Sequence, residues 1–127
     1  MKKLALLVVI FVIALSACNK DKSKTDLLTS APWKYVNPDE PCNADDIITF
    51  KDDNSFSQTA GSKKCDFDLG DLSGSWKFLS DETELEITLT VPLFGTVIDT
   101  AKIVALTETL LELEGEDGDP NTKFEHK

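Results

Sequence analysis

The chain has 127 residues and a formal net charge of −10 at pH 7, from 23 acidic and 13 basic side chains. This length accommodates one domain of ordinary size. A surface this acidic repels phosphate backbones and anionic lipid head groups. We therefore expect no nucleic-acid partner and no basic patch that would hold the protein on a membrane.

The first 17 residues are typical of a secretory signal peptide. Lys2 and Lys3 give a charged start, and an uninterrupted apolar run of 12 residues follows from Leu4 to Leu15. This run is too short to span a bilayer, which requires roughly 20 apolar residues. The next residues complete the string Leu-Ser-Ala-Cys at positions 15–18, which resembles the lipobox of bacterial lipoproteins. That resemblance implies cleavage before Cys18 and attachment of a diacylglycerol to its thiol.

The lipobox resemblance implies an address at the bacterial cell envelope, with the outer membrane as the expected anchor and either its periplasmic or its surface face exposed. Cleavage would leave residues 18–127 with a formal charge of −12, because Lys2 and Lys3 are lost. Each buried CH₂ of an acyl chain contributes about 0.8 kcal/mol, so two or three chains on Cys18 would anchor the protein durably. Residues 18–25 are expected to form a lipid-anchored tether and residues 26–127 the folded domain.

Use of Cys18 for lipid leaves two cysteines, Cys42 and Cys65. Exported proteins occupy an oxidising compartment, so this even remainder favours a disulfide bond between them. The bond would contribute roughly 3 kcal/mol of stability by the loop-closure estimate. Free thiols or a shared metal ion are the alternatives, but the only histidine available as a further ligand is His126, next to the end of the chain.

The remaining pattern is that of short strands. One helical turn is expected at 25–29, ended by Pro32. The clearest strand is Glu84–Val91, in which every second residue from Leu85 is apolar, as in a strand with one wet face. The other expected strands span 33–36, 47–50, 56–59, 75–79, 96–106 (as one strand or two), 110–114 and 122–125.

About eight short strands without a long helical period predict an all-β fold. An antiparallel meander that closes into a small barrel is the favoured architecture, and a β-sandwich is the alternative because it gives the same alternation.

The order and spacing of several short motifs extend over most of residues 27–114. They are Leu27-Leu28 before Trp33-Lys34, Cys42 before Asp45-Asp46, Ile48-Thr49-Phe50, Asp53-Asn54 ahead of Phe56, Cys65, Gly74-Ser75-Trp76, Leu85-Glu86-Ile87, Ile103 to Thr107 and Leu111-Glu112-Leu113. Together they resemble the lipocalin-like domain of many small bacterial lipoproteins. This resemblance implies a lipid-anchored barrel with no catalytic motif shared across the family.

A barrel of eight strands is just wide enough to be filled by its own side chains or to hold one small ligand. The expected inward-facing side chains therefore form either a core or the lining for an apolar molecule such as a fatty acid. They are Trp33, Phe50, Phe56, Trp76, Phe78, Leu85, Ile87 and Leu89. The leading hypothesis is ligand binding without catalysis at the barrel mouth, with Trp33, Phe56, Trp76 and Phe78 as the candidate binding residues.

The alternative function is a filled β domain that acts as an interaction module for another envelope protein. Its contact surface would be the segments 38–46 and 61–72, joined by the Cys42–Cys65 disulfide. In either case we expect a monomer.

Neither a metal centre nor an enzyme site is expected. Two acidic groups resemble calcium-binding loops in composition, but the EF-hand spacing is absent and solvated turns explain both. They are Asp66, Asp68 and Asp71, and Glu114, Glu116, Asp117 and Asp119. No serine lies in a Gly-x-Ser-x-Gly motif, so we predict no catalytic residue and no cofactor.

Overall fold

The computed structural model describes residues 22–38, 40–63 and 70–127. In this part of the chain, eight antiparallel strands form a closed barrel in sequence order, with β8 pairing back onto β1. The strands are β1 (Trp33–Tyr35), β2 (Ile47–Phe50), β3 (Ser55–Thr59), β4 (Leu72–Leu79), β5 (Glu84–Val91), β6 (Gly95–Leu106), β7 (Leu110–Leu113) and β8 (Thr122–His126). The prediction of an all-β meander that closes into a barrel is confirmed.

The strand bounds follow local pattern where it is strong and cross-strand pairing where it is not. Strands β2 and β5 have the bounds that their sequences predict. Strand β4 begins at Leu72, earlier than its polar residues suggest, because Ser73 and Gly74 pair with Thr90 and Leu89 of β5. Pairing with β5 thus extends β4 over residues whose own strand propensity is weak.

A short helix, α1 (Lys24–Thr29), precedes the barrel, and a 3₁₀ helix (Pro41–Asn43) lies between β1 and β2. Helix α1 begins one residue before the predicted turn because Ser23 forms a capping box with Asp26. The Ser23 hydroxyl accepts a hydrogen bond from the Asp26 amide at 3.1 Å, and the Asp26 carboxylate accepts one from the Ser23 amide at 3.4 Å.

Helix α1 covers one end of the barrel, which we call the closed end. The turns at 51–54, 80–83 and 107–109 lie at this end, because every second connection of a meander falls on the same side. Two lysines in and just before helix α1 contact these turns. Lys24 donates to the carbonyl oxygen of Glu82 at 2.8 Å, and Lys22 forms a 2.8 Å ion pair with Glu108.

The hydrophobic core fills the closed half of the barrel. Its aromatic rings meet edge to face or tilted, with centroids 6.0 Å apart for Phe50 and Trp76 and 5.3 Å apart for Trp76 and Phe78. Trp76 also donates its indole N–H to the carbonyl oxygen of Lys51 at 2.9 Å. The buried members of the core are Leu28, Trp33, Ile48, Phe50, Phe56, Trp76, Leu85, Leu111 and Phe124.

The connections that follow β1, β3, β5 and β7 lie at the other end, which we call the open end. Strand β6 has twelve residues whereas β7 has four, and β7 pairs with β6 only from Ile103 onward. The β5–β6 hairpin therefore extends beyond its neighbour β7. None of the helices in the described part of the chain is long and apolar enough to cross a membrane.

Candidate functional site: a cavity at the open end of the barrel

A cavity of about 380 Å³ occupies the open half of the barrel, above the aromatic core. This volume lies within the range of small-molecule pockets. The cavity exists because the core side chains fill only one half of the barrel interior. Its lining residues are Tyr35, Ile48, Phe56, Gln58, Ile87, Leu89, Asp99, Ala101, Leu113, Glu114, Gly115, Glu116, Asp119, Pro120, Thr122 and Phe124.

The inner wall of the cavity is apolar and is supplied by facing strands. Ile87 and Leu89 project inward from β5 as the alternation predicts, and both are only half-buried. Leu113 of β7 and Phe124 of β8 continue the wall around the barrel. These side chains present apolar surface that a ligand could remove from water, which stabilises a complex by roughly 25 cal/mol per Å² before the costs of binding.

Tyr35 brings a hydroxyl group into this apolar wall. Its ring packs against Phe124 with centroids 4.7 Å apart. Burial raises the pKa of the Tyr35 hydroxyl above its ordinary value, and the negative charge of Asp46 raises it further. The hydroxyl is therefore neutral at physiological pH and can donate or accept a hydrogen bond in the cavity.

Gln58 links the cavity to a buried carboxylate. Its side-chain amide donates to Oδ2 of Asp46 at 3.1 Å, and the amide of Gly61 donates to Oδ1 at 2.9 Å. Asp46 is only 7 % exposed. Both of these hydrogen-bond partners are uncharged, so they satisfy the carboxylate without neutralising it.

The rim of the cavity is acidic. Asp99 comes from β6, and Glu114, Glu116 and Asp119 come from the connection between β7 and β8. All four side chains are solvent-exposed, and none of the described residues that line this cavity is a lysine or arginine. In the described part of the chain no three acidic, cysteine or histidine side chains converge to form a metal site.

The four candidate binding residues from the sequence are separated by the fold. Phe56 lines the cavity, whereas Trp33, Trp76 and Phe78 do not contribute to this lining. Trp33 and Trp76 are buried in the core, and Phe78 packs against that core. The chain's one histidine, His126, also belongs to the closed half, with its ring centroid 4.0 Å from that of Trp33.

The sequence did not point to Tyr35, Gln58 or Asp99 as site residues. Alternation within β1 places Tyr35 on the same face as Trp33, so that signal was present. Alternation within β3 likewise places Gln58 on the same face as Phe56, but its polar side chain gave no reason to expect it in an apolar interior. For Asp99, only the strand register reveals that it lines the interior.

The loop segments expected to form an interaction surface are joined by hydrogen bonds at the open end. Oδ2 of Asp45 accepts hydrogen bonds from the Ser62 hydroxyl at 2.7 Å, the Ser62 amide at 2.8 Å and the Lys63 amide at 3.2 Å. The Ser62 hydroxyl bond is the main cause that lowers the pKa of Asp45. Asp45 and Asp46 thus hold the segment 61–63 against the segment 38–46. Cys65, Asp66 and Asp68 lie outside the described residues, as does Cys18 with the whole signal segment.

No protein-family model, no curated protein and no solved structure matches this chain at a significant level.

Proposed function

We propose that this chain is a lipocalin-like lipoprotein of the bacterial cell envelope, which binds a small, largely apolar ligand in the open half of its barrel and catalyses no reaction. The observation that carries the proposal is the cavity of about 380 Å³ with its wall of Ile87, Leu89, Leu113 and Phe124. A barrel of this size filled only by its own side chains would leave no such space.

The position of Lys22 at the closed end of the barrel supports a binding protein that is tethered to the membrane. The described residues begin at Lys22, which pairs with Glu108 at the closed end. A lipid on Cys18 would lie four residues earlier, a reach of at most about 14 Å. The closed end would then face the membrane, and the cavity would open away from it.

Ligand binding is tested by native mass spectrometry of the domain purified from its own host, followed by solvent extraction. We expect a stoichiometric small molecule, or binding of an apolar fluorescent probe to protein that is isolated empty. An empty protein that binds no apolar probe would overturn the proposal.

The location of binding is tested with two tryptophan substitutions on β5. Leu89→Trp places a bulky ring in the cavity, whereas Thr90→Trp places the same ring on the exposed outer face. We expect Leu89→Trp to abolish probe binding and Thr90→Trp to preserve it, with both variants folded by circular dichroism. Equal binding by the two variants would place the ligand elsewhere.

The lipid anchor is tested by mass spectrometry of the mature protein. We expect an N-terminal Cys18 that carries a diacylglycerol and partition of the protein into detergent. A mature chain that begins elsewhere, or an unmodified Cys18, would contradict the lipoprotein proposal.

The interaction-module alternative is favoured by one observation. The β5–β6 hairpin exposes two large apolar side chains at its tip, Leu93 (102 % exposed) and Phe94 (71 %). Exposed apolar side chains that lie together are typical of contact surfaces. This hairpin lies at the open end but is distinct from the two predicted loop segments. Cross-linking that enriches one envelope protein with wild type and loses it with Leu93→Ser plus Phe94→Ser would support this alternative.

A further inference from the structure

We infer that the cavity selects a cationic amphiphile, whose positive head group lies among the rim carboxylates and whose apolar tail lies against the inner wall. This inference rests on the proposed function, because it names the chemical class of ligand for the same cavity. The observation that supports this inference is the set of carboxylates around the apolar inner wall of the cavity.

Asp99 places a carboxylate inside the barrel mouth. In the antiparallel register Asp99 lies directly opposite Ile87, and directly opposed residues project from the same face of a sheet. Ile87 faces the interior, so Asp99 does as well, and both line the cavity. The negative charge therefore lies level with Ile87 in the apolar wall, and Leu89 lies beyond it toward the open end.

The lysines of β1 and β8, Lys34 and Lys123, do not offset the acidity of the rim. Both lie on the outer face of the barrel, where they pair with other carboxylates. Lys34 pairs with Glu125 at 3.3 Å, and Lys123 lies 4.0 Å from Glu112. No such ion pair is found in the described part of the chain for Asp99 or for the rim residues Glu114, Glu116 and Asp119, so these four charges remain available to a ligand.

A second negative charge lies deeper. The carboxylate of Asp46 is more than nine-tenths buried, and it is bonded to the neutral groups of Gln58 and Gly61. It lies directly behind the cavity wall, because the side-chain amide of Gln58, a lining residue, donates to it at 3.1 Å. An anionic head group, such as that of a fatty acid, would meet repulsion from both the rim and the interior.

The carboxylates are spread around the rim, and no described group of three converges on a point. A compact metal ion requires convergent oxygen ligands, whereas a diffuse organic cation does not. Charge distribution and wall chemistry therefore favour an organic cation that carries an apolar tail.

The test compares three probes with the same tail, decyltrimethylammonium, decanol and decanoate, below their aggregation concentrations. We expect the cation to bind about tenfold more tightly than the neutral probe at low salt, since several exposed carboxylates attract its head group. Decanoate should bind most weakly. The preference for the cation should fall at about 0.5 M salt, where exposed charges are screened.

Two isosteric substitutions locate the effect. Asp99→Asn removes a rim charge, and Asp81→Asn removes one from the turn at the closed end, so both variants have the same net charge. We expect Asp99→Asn to reduce the cation preference at least twofold and Asp81→Asn to leave it unchanged. An equal change in both variants would show that general attraction to an acidic protein is responsible, and would overturn the inference.

The outcomes separate the inference from the function on which it rests. Tighter binding of decanol or decanoate than of the cation overturns the cationic ligand class and retains apolar binding. Failure of all three probes to bind, together with an empty protein by native mass spectrometry, overturns the proposed function itself.

Discussion

The indole nitrogen of Trp33 donates a hydrogen bond to the carbonyl oxygen of Leu28 across 2.9 Å, and both residues are 0 % exposed. Leu28 lies in the last turn of α1, where carbonyl groups have no partner within the helix. The bond therefore ties the helix that covers the closed end to the first strand of the barrel.

We expect Trp33→Phe to lower the free energy of unfolding by about 1–3 kcal/mol, because it leaves the buried Leu28 carbonyl without a donor. Urea denaturation measures this change. Trp76→Phe is the matched control: it removes a similar bond to the Lys51 carbonyl, which keeps a second donor in the Asn54 amide at 3.0 Å. A loss at Trp76 equal to or greater than that at Trp33 would contradict the helix-capping role.

The β5–β6 hairpin contains a leucine in a backbone conformation that favours glycine. Leu93 has φ = 72°, and the amide of Phe94 donates to the carbonyl oxygen of Val91 at 3.2 Å, as in a turn with Pro92 and Leu93 at its centre. A left-handed conformation costs a leucine roughly 1–2 kcal/mol. Its side chain is fully exposed, so burial of apolar surface within the described fold does not offset this cost.

We expect Leu93→Gly to raise the free energy of unfolding by about 0.5–1 kcal/mol, because the strain is relieved. Gly95→Ala should have the opposite sign, since Gly95 has φ = 85° in open space and a Cβ there is disfavoured by conformation alone. Thermal or urea denaturation of the two variants tests the pair. Destabilisation by Leu93→Gly would show that the leucine makes a stabilising contact.

The Cys42–Cys65 disulfide remains a prediction. A disulfide bond at Cys42 supports it, while Cys65 lies outside the described residues. We expect the double substitution Cys42→Ser, Cys65→Ser to lower the free energy of unfolding by about 3 kcal/mol. The main reason is that the unfolded chain gains conformational entropy once the loop is no longer closed. Alkylation followed by mass spectrometry is the direct measurement, and equal mass shifts with and without reductant would rule the bond out.

Acid should loosen the segment 61–63 before it unfolds the barrel. The pKa of Asp45 is lowered, chiefly by the Ser62 hydroxyl, so the stabilisation from this carboxylate is complete above its ordinary value of about 4 and is lost as the pH falls through the lower folded value. The protection factors for amide hydrogen exchange at Ser62 and Lys63, which are corrected for the intrinsic exchange rate, should therefore fall below about pH 4.

The variant Ser62→Ala tests the cause of that shift. We expect it to raise the pKa of Asp45 toward the ordinary value, as measured by NMR titration of the carboxyl carbon. Asp53 provides an internal reference, because its pKa is lowered mainly by the separate hydroxyl of Ser55. A pKa of Asp45 that does not move would assign the shift to the backbone amides instead.

The amino-acid sequence alone determined the fold class. Alternation in β5 is a local property, so the bounds of that strand and its inward face followed from the residues themselves. The inward-facing set followed in the same way. All eight of its members belong to the buried core or pack partly buried against it, and three of them, Phe56, Ile87 and Leu89, also line the cavity. Leu28 was not recognised as core, because two adjacent leucines in a short helix form no periodic pattern that would mark one of them as buried.

The position of the cavity was decided only by the tertiary structure. In β6 the two alternating sets of residues are equally apolar: one contains Val97 and Ile103 and the other Ile98 and Val104. Local pattern therefore cannot choose which set faces inward, and the pairing of Ile87 with Asp99 makes that choice. Whether an aromatic side chain fills the closed half or lines the open one likewise depends on its height along the barrel. That height is set by register between distant strands, which no local stretch of sequence contains.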